Sequence, residues 1–233
     1  MIPCISVDNM RRSDAYTIEN LVPSLELMHR AAYGVFLAHH WNAPVAIAAG
    51  SGNNGGDGFA LACILKERGI DCTVFAISTR LSADSSFYAE KAAAAGIPIH
   101  PFIPGCLQGF ATIVDCLLGT GFQGSVRQDY RTAIEEINAS HAFVVSVDIN
   151  SGMNGDTGLC DTAVHSDLTV TIGFVKQGLV APHAGAYMKK LVCADIGIEL
   201  VTQEAWICAA DEWQEGCILR PDWLEMASIP AVL

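Results

Sequence analysis

Residues 49–58 read AGSGNNGGDG, between a short apolar run at 44–49 and an apolar-periodic stretch at 59–69. Apolar run, glycine-rich turn and periodic stretch predict a strand, a loop and a helix in that order. The turn holds five glycines and two asparagines, residue types that tolerate positive φ where others resist it. Missing side chains let a ligand approach the backbone, and amides at a helix start meet it with a favourable dipole. An anionic, phosphate-bearing ligand suits such a place.

Gly50, Gly52 and Gly55 satisfy G-x-G-x-x-G, a dinucleotide fingerprint that also needs an acid at the end of the following strand to hold the ribose. That strand is expected at 72–77, and it runs out into Ser78, Thr79 and Arg80, while Asp71 sits at its other end. A hydride-transferring oxidoreductase is therefore disfavoured, and a nucleotide-type ligand is kept.

Working outward, helices are expected at 8–20 and 24–41, the second with an apolar stripe of Leu25, Met28, Ala32, Val35 and Phe36. Strands at 45–49, 72–77, 97–99, 111–117, 143–147, 168–172 and 191–194 alternate with helices at 58–68, 82–95 and 129–139. Continuous apolar strands separated by helices imply an α/β fold, a parallel sheet covered on both faces. After Ile198 the pattern weakens, and Trp206, Trp213 and Trp223 are expected to pack the tail on the surface.

Of the 233 residues, 51% are hydrophobic and only 16% charged, as a doubly covered sheet requires. The length suits one large domain, or one with small extensions. The net charge of −12 argues against nucleic acid, whose backbone calls for clustered Lys and Arg. Nine cysteines never form C-x-x-C and read as free thiols in a reducing compartment, without a disulfide framework or zinc site. No apolar run reaches bilayer length and the first residues carry no signal-peptide core, so no membrane partner and a cytoplasmic location are expected.

Ligands of parallel sheets bind beyond the carboxyl ends of strands, and three polar segments fall there. They are residues 53–57, then Asp115 with residues 119–122, then Asp148 with Asn150, Ser151 and Gly152. Three acids (Asp57, Asp115, Asp148) in one crevice are costly unless hydrogen-bonded or facing a cation, which points to a shared cation or a catalytic acid. The Asn54 carbonyl, Asp115 carboxylate and Ser151 hydroxyl are hard oxygen donors for an alkali or alkaline-earth ion. An EF-hand loop is excluded, because Gly152 falls where that pattern wants a ligand. The seven histidines show no ligand spacing. Lys176 reads equally as a cation for a phosphate or as a plain surface lysine.

Four segments occur in order: AGSGNNGGDG (49–58), DCLLGTGF (115–122), VVSVDINSGMNGDTG (144–158) and TVTIGFVKQGL (169–179). Together with the opening MRRSDAYTIENLVPSLELMHRAA and with ADIGI at 194–198, they resemble the NAD(P)H-hydrate epimerase family, the YjeF N-terminal domain. The resemblance covers about residues 8–200, so the domain is expected over 1–200, with 201–233 as a C-terminal extension. It implies a three-layer αβα sandwich, Rossmann-like with a mostly parallel central sheet, and a homodimer. It also implies epimerisation of the R and S forms of hydrated NADH and NADPH, with a separate dehydratase repairing the S form. Asn53, Asn54, Gly55, Gly56, Asp57, Gly119, Thr120, Gly121, Phe122, Gln123, Gly124, Ser125 and Asp148 match the family's substrate contacts. Asn54, Asp115 and Ser151 match its potassium ligands. Epimerisation at the hydrated carbon opens and recloses a carbon–oxygen bond, which makes Asp148 the candidate acid–base residue. Asn150 stands where the family usually has proline, Asn154-Gly155 where it more often has Asp-Ala, and His29 replaces a common glutamate. Some relatives serve as non-catalytic scaffolds of the same fold; keeping all three acids argues against that here.

Overall fold

The structure, a computed structural model, describes residues 1–230 and, within them, all side chains but those of 226–228. The chain begins with β1 (Ile2–Ile5), α1 (Val7–Asn20), α2 (Ser24–Ala38), β2 (Val45–Ala49), α3 (Asn53–Glu67) and β3 (Cys72–Ala76). It continues through α4 (Ala83–Ala94), β4 (Ile99–Pro101), β5 (Thr112–Cys116), α5 (Gln128–Ala139), β6 (Phe143–Val147) and β7 (Leu168–Ile172). Last come β8 (Val175–Lys176), β9 (Leu191–Asp195), β10 (Ala205–Cys208), β11 (Cys217–Leu219) and β12 (Leu224–Pro230).

Eight strands form one sheet in the order β12-β9-β7-β6-β5-β2-β3-β4, every pair parallel. Side-chain alternation divides the core. Val45, Ile47 and Ala49 face a layer with Leu27, Val35, Phe59 and Leu61 of α2 and α3. Ala46 and Ala48 face Tyr130, Ala133 and Ile134 of α5. Beside α5, a second sheet (β11-β10-β1-β8) packs Cys4, Val175 and Ile207 onto Leu191 and Cys193. Buried small residues in β2 let helices pack close on both faces, and a three-layer Rossmann-like sandwich results.

All seven expected strands form, the one expected at 97–99 shifted to Ile99–Pro101; the short β1 and β8 are additions, and two further departures have physical causes. Helix α3 starts at Asn53 rather than at residue 58, with Gly52 as its N-cap, so residues 53–57 form its first turns instead of a loop. Residues 205–230, expected to lie on the surface, pair with both sheets: β10 runs antiparallel to β1, and β12 extends the large sheet beside β9. Trp223 is tied in by its indole N–H to the Leu179 carbonyl, at 3.1 Å, whereas Trp213 stays exposed. β10 is four residues long and its partner β1 lies some 200 residues away, so no local periodicity announces it. Residues 231–233 of the expected extension lie outside the described residues. Among the described residues no helix is long and apolar enough to cross a membrane.

Candidate functional site

Strand order reverses between β2 and β5, and the loops leaving their carboxyl ends diverge there. A cavity of about 490 Å³ opens at this switch point, lined by Asn53, Asn54, Asp57, residues 119–122 and Asp148, with α1 as its far wall. Chain reversals at a switch point leave strand-end backbone unpaired and a crevice between the loops.

The glycines of 49–58 act differently from the expectation. None adopts positive φ. Instead a Cβ on Gly50 would overlap the carbonyl oxygen of Leu117, and one on Gly55 would overlap the carbonyl oxygen of Gly50. Absent side chains let α3 sit directly on the turn, and the turn on the end of β5, where the Gly50 N–H donates to the Cys116 carbonyl at 2.9 Å. With no side-chain cap on Gly52, the first amides of α3 keep no intrahelical acceptor and stand at the cavity edge.

Asp148 is the sole non-glycine residue with positive φ (68°) among the described residues. Aspartate tolerates that region better than most side chains, still at a cost of about 1–3 kcal/mol. The conformation turns its carboxylate into the cavity. Oδ1 accepts from Lys176 Nζ at 2.5 Å, and Oδ2 from the Thr120 N–H at 3.3 Å. Lys176 is neither a surface residue nor a free cation for a phosphate: its side chain is 1% exposed. Its ammonium also donates to Thr171 Oγ1 at 3.0 Å and to the Ile172 carbonyl at 2.8 Å, which uses all three protons. The tight turn after β7 carries β8 back beneath Asp148, an arrangement that a linear reading of 173–178 does not contain.

Asp57 and Asp148 share the cavity, but Asp115 does not reach it. Asp115 is fully buried and accepts from Ser151 Oγ at 2.5 Å, Ser146 Oγ at 2.9 Å, Ser151 N–H at 3.0 Å and Leu117 N–H at 3.2 Å. Burial raises its carboxyl above the ordinary value, and those hydrogen bonds oppose the rise. The three acids thus divide into two that face the cavity and one that staples the loops after β5 and β6. Gly55 and Gly56 lie inside α3, and Gln123, Gly124 and Ser125 lie beyond the cavity lining.

Both side-chain heteroatoms of Asn54 are buried without a hydrogen-bond partner. An orphaned buried carboxamide is costly, and its oxygen fits a hard cation. Asn54 contacts the same wall as Asp148: a Cβ on Gly119 would lie 3.2 Å from Asn54 Cβ and 3.5 Å from Asp148 Oδ2. Asn150, the departure from proline, is wholly buried. Its amide donates to the Val164 and Tyr187 carbonyls and to Ser166 Oγ, and accepts from Thr169 Oγ1 at 2.7 Å. The asparagine anchors the loop that carries Asp148 and Ser151.

Burial pushes the Asp57 carboxyl well above the ordinary 3.8, and the neighbouring Asp148 and Asp14 push it further. A carboxyl raised in the folded state binds more protons than in the unfolded state. Its contribution is therefore fully present below 3.8 and is lost as pH rises through the folded-state value. Asp57→Asn accordingly raises the melting temperature at pH 7 relative to wild type, and the gap narrows toward pH 4. A melting series across that range that runs parallel for both proteins contradicts this.

Three charged cavity residues escaped the sequence reading: Asp84 at the start of α4, and Arg11 and Asp14. Arg11 and Asp14 lie on α1, expected from the sequence simply as a helix at 8–20. Their only signal is a pair of charged residues three apart, on one face of the helix.

Residues 24–178 match the family described as YjeF-related protein N-terminus. The chain belongs to this family. It is 38% identical over 199 residues to the NAD(P)H-hydrate epimerase of Limosilactobacillus fermentum, covering 82% of this chain and 95% of that protein. It is 35% identical over 196 residues to the bifunctional NAD(P)H-hydrate repair enzyme Nnr of Coxiella burnetii, covering 81% of this chain and 40% of that protein. The crystal structure of yeast YNL200c superposes with a TM-score of 0.70 at 20% identity, over 86% of this chain and 96% of that one. That last likeness concerns the fold.

Proposed function

We propose that this YjeF-family member is an NAD(P)H-hydrate epimerase, an isomerase interconverting the R and S forms of hydrated NADH and NADPH. The observation that carries the reading is Asp148, an ion-paired carboxylate facing a cavity whose opposite edge presents the bare amides of α3. The relatives' names supply the substrate class. In this reading Asn53, Asn54, Asp57 and residues 119–122 bind the dinucleotide, with Gly55, Gly56 and residues 123–125 supporting those contacts from behind. Asp148 exchanges a proton with the hydroxyl of the hydrated ring carbon. The protonated hydroxyl leaves as water as the ring nitrogen lends its electron pair, and water re-adds on the other face, returning the proton to Asp148. The loops exclude bulk water while the intermediate lasts.

The unpaired Asn54 carboxamide suits a potassium ion, with the hydrogen-bonded Asp115 and Ser151 as the further oxygen donors of this reading. Such an ion would supply a hard positive charge near the substrate's oxygens. The proposal further includes a homodimer over the 1–200 domain, a cytoplasmic setting, and a dehydratase partner that consumes the S hydrate.

The test is a coupled assay on mixed R and S hydrates of NADH with excess S-specific dehydratase. The S form vanishes first, and the slow phase that remains reports epimerisation. The protein should accelerate that phase, more in potassium than in lithium buffer, and Asn54→Ala should erase the cation difference. A slow phase unchanged by folded protein in potassium would leave a binding scaffold.

A further inference from the structure

We propose that Arg11 clamps a phosphate group of the substrate from the α1 side of the cavity, opposite the amides of α3. This deepens the epimerase reading and rests on it for the substrate class. The cavity is lined by four acids (Asp14, Asp57, Asp84 and Asp148) and by two cations, Arg11 and Lys176. A dinucleotide brings at least two negative charges into this acidic surround, within a protein of net charge −12. Lys176 cannot answer them, because Asp148, Thr171 and Ile172 take its three protons.

Arg11 stands differently. Its neighbour Arg12 takes Asp8, at 3.1 Å, whereas Arg11 forms no ion pair or side-chain hydrogen bond among the described residues. It is exposed at the rim, so its guanidinium reaches the cavity without first giving up a partner. A planar fork of donors matches phosphate oxygens.

Helix α1 holds it in place. The Val7 N–H donates to Asp156 at 2.7 Å, Asn9 Nδ2 to the Thr202 carbonyl at 2.6 Å, and Thr17 Oγ1 accepts from the Glu199 N–H at 2.9 Å. Ser13 Oγ accepts from the Val201 N–H at 3.2 Å. Anchored along its length, the helix presents Arg11 at a fixed distance from the α3 amides, so less ordering is left for binding. Asp14 lies three residues further along the same helix; burial, and then the nearby Asp148, raise its carboxyl above the ordinary value.

The experiment measures KM and kcat for NADH hydrate and NADPH hydrate with wild type, Arg11→Gln and Arg11→Lys. Binding of ADP-ribose and of its 2′-phosphorylated form is titrated by calorimetry in parallel. Loss of one charge-assisted contact should raise KM about tenfold with kcat within twofold, and Arg11→Lys should recover part of the loss. An equal effect on both hydrates assigns the clamp to the diphosphate, and an effect confined to NADPH hydrate assigns it to the 2′-phosphate. Unchanged KM values, or a fall in kcat alone, would overturn the clamp. If wild type shows no turnover the epimerase reading fails by itself, and the ADP-ribose titrations still decide on Arg11: weakened binding in Arg11→Gln sustains the clamp, and unchanged binding ends it.

Discussion

Asp148→Asn should slow epimerisation of hydrated NADH by on the order of a thousandfold, the usual worth of a positioned acid–base group. Asparagine tolerates the positive φ of this position, and its carboxamide oxygen can still accept from Lys176. The substitution therefore removes the charge and the exchangeable proton while the local geometry stays. It also leaves the buried Lys176 ammonium without a counter-charge, held by neutral acceptors alone. Breaking a buried pair costs about 3–5 kcal/mol, so the variant melts earlier and its turnover must be read well below that temperature, with circular dichroism confirming the fold. Wild-type turnover in folded Asp148→Asn would remove Asp148 from the chemistry.

Lys176→Met separates the two roles of this pair. Lys176 does not reach the reacting atoms in the proposed site; it positions Asp148. Its loss should lower turnover by a non-additive amount, such that the double variant is little slower than Asp148→Asn alone. Additive losses would mean that the two residues act independently.

Much of this arrangement is legible in the chain, and the limits follow from what periodicity carries. Parallel strands buried on both faces read as continuous apolar runs, and the strand at 143–147 and the strand at 168–172 emerge with their bounds intact. Asp148 is legible because an acid directly after such a run stands at the sheet's carboxyl edge. The partner of Asp148 is not: Lys176 ends a two-residue strand in a second sheet, and only the three-dimensional path brings it underneath. Asp115 shows the reverse case. Its position at a strand end is correctly read, but whether the carboxylate looks out or down depends on Ser146 and Ser151 offering it donors. Arg11 hides for a third reason, since a wall contributed by the N-terminal helix leaves no mark in the glycine-rich motifs.

Gly55→Ala and Gly52→Ala should separate sharply, although both lie in the same G-x-G-x-x-G pattern. A Cβ on Gly55 meets the backbone carbonyl of Gly50, and no side-chain rotation can relieve that contact. Helix α3 would have to lift from the turn, opening its packing against β2 and β5. Overpacking costs about 1–3 kcal/mol where side chains can yield, so a backbone clash belongs at roughly 3 kcal/mol or above. At about 2–4 °C per kcal/mol for a chain of this size, the melting temperature should fall on the order of 10 °C. A Cβ on Gly52 meets nothing within 4 Å, and its φ of −92° suits any residue. Stability there should change by about 1 kcal/mol or less, because the weaker cap is offset by lost freedom in the unfolded chain. The new methyl stands at the cavity edge beside the α3 amides, so Gly52→Ala should instead raise KM. Thermal melts and KM measured on both variants make the comparison. If Gly52→Ala proved the more destabilising of the two, close packing of the turn would not be what these glycines provide.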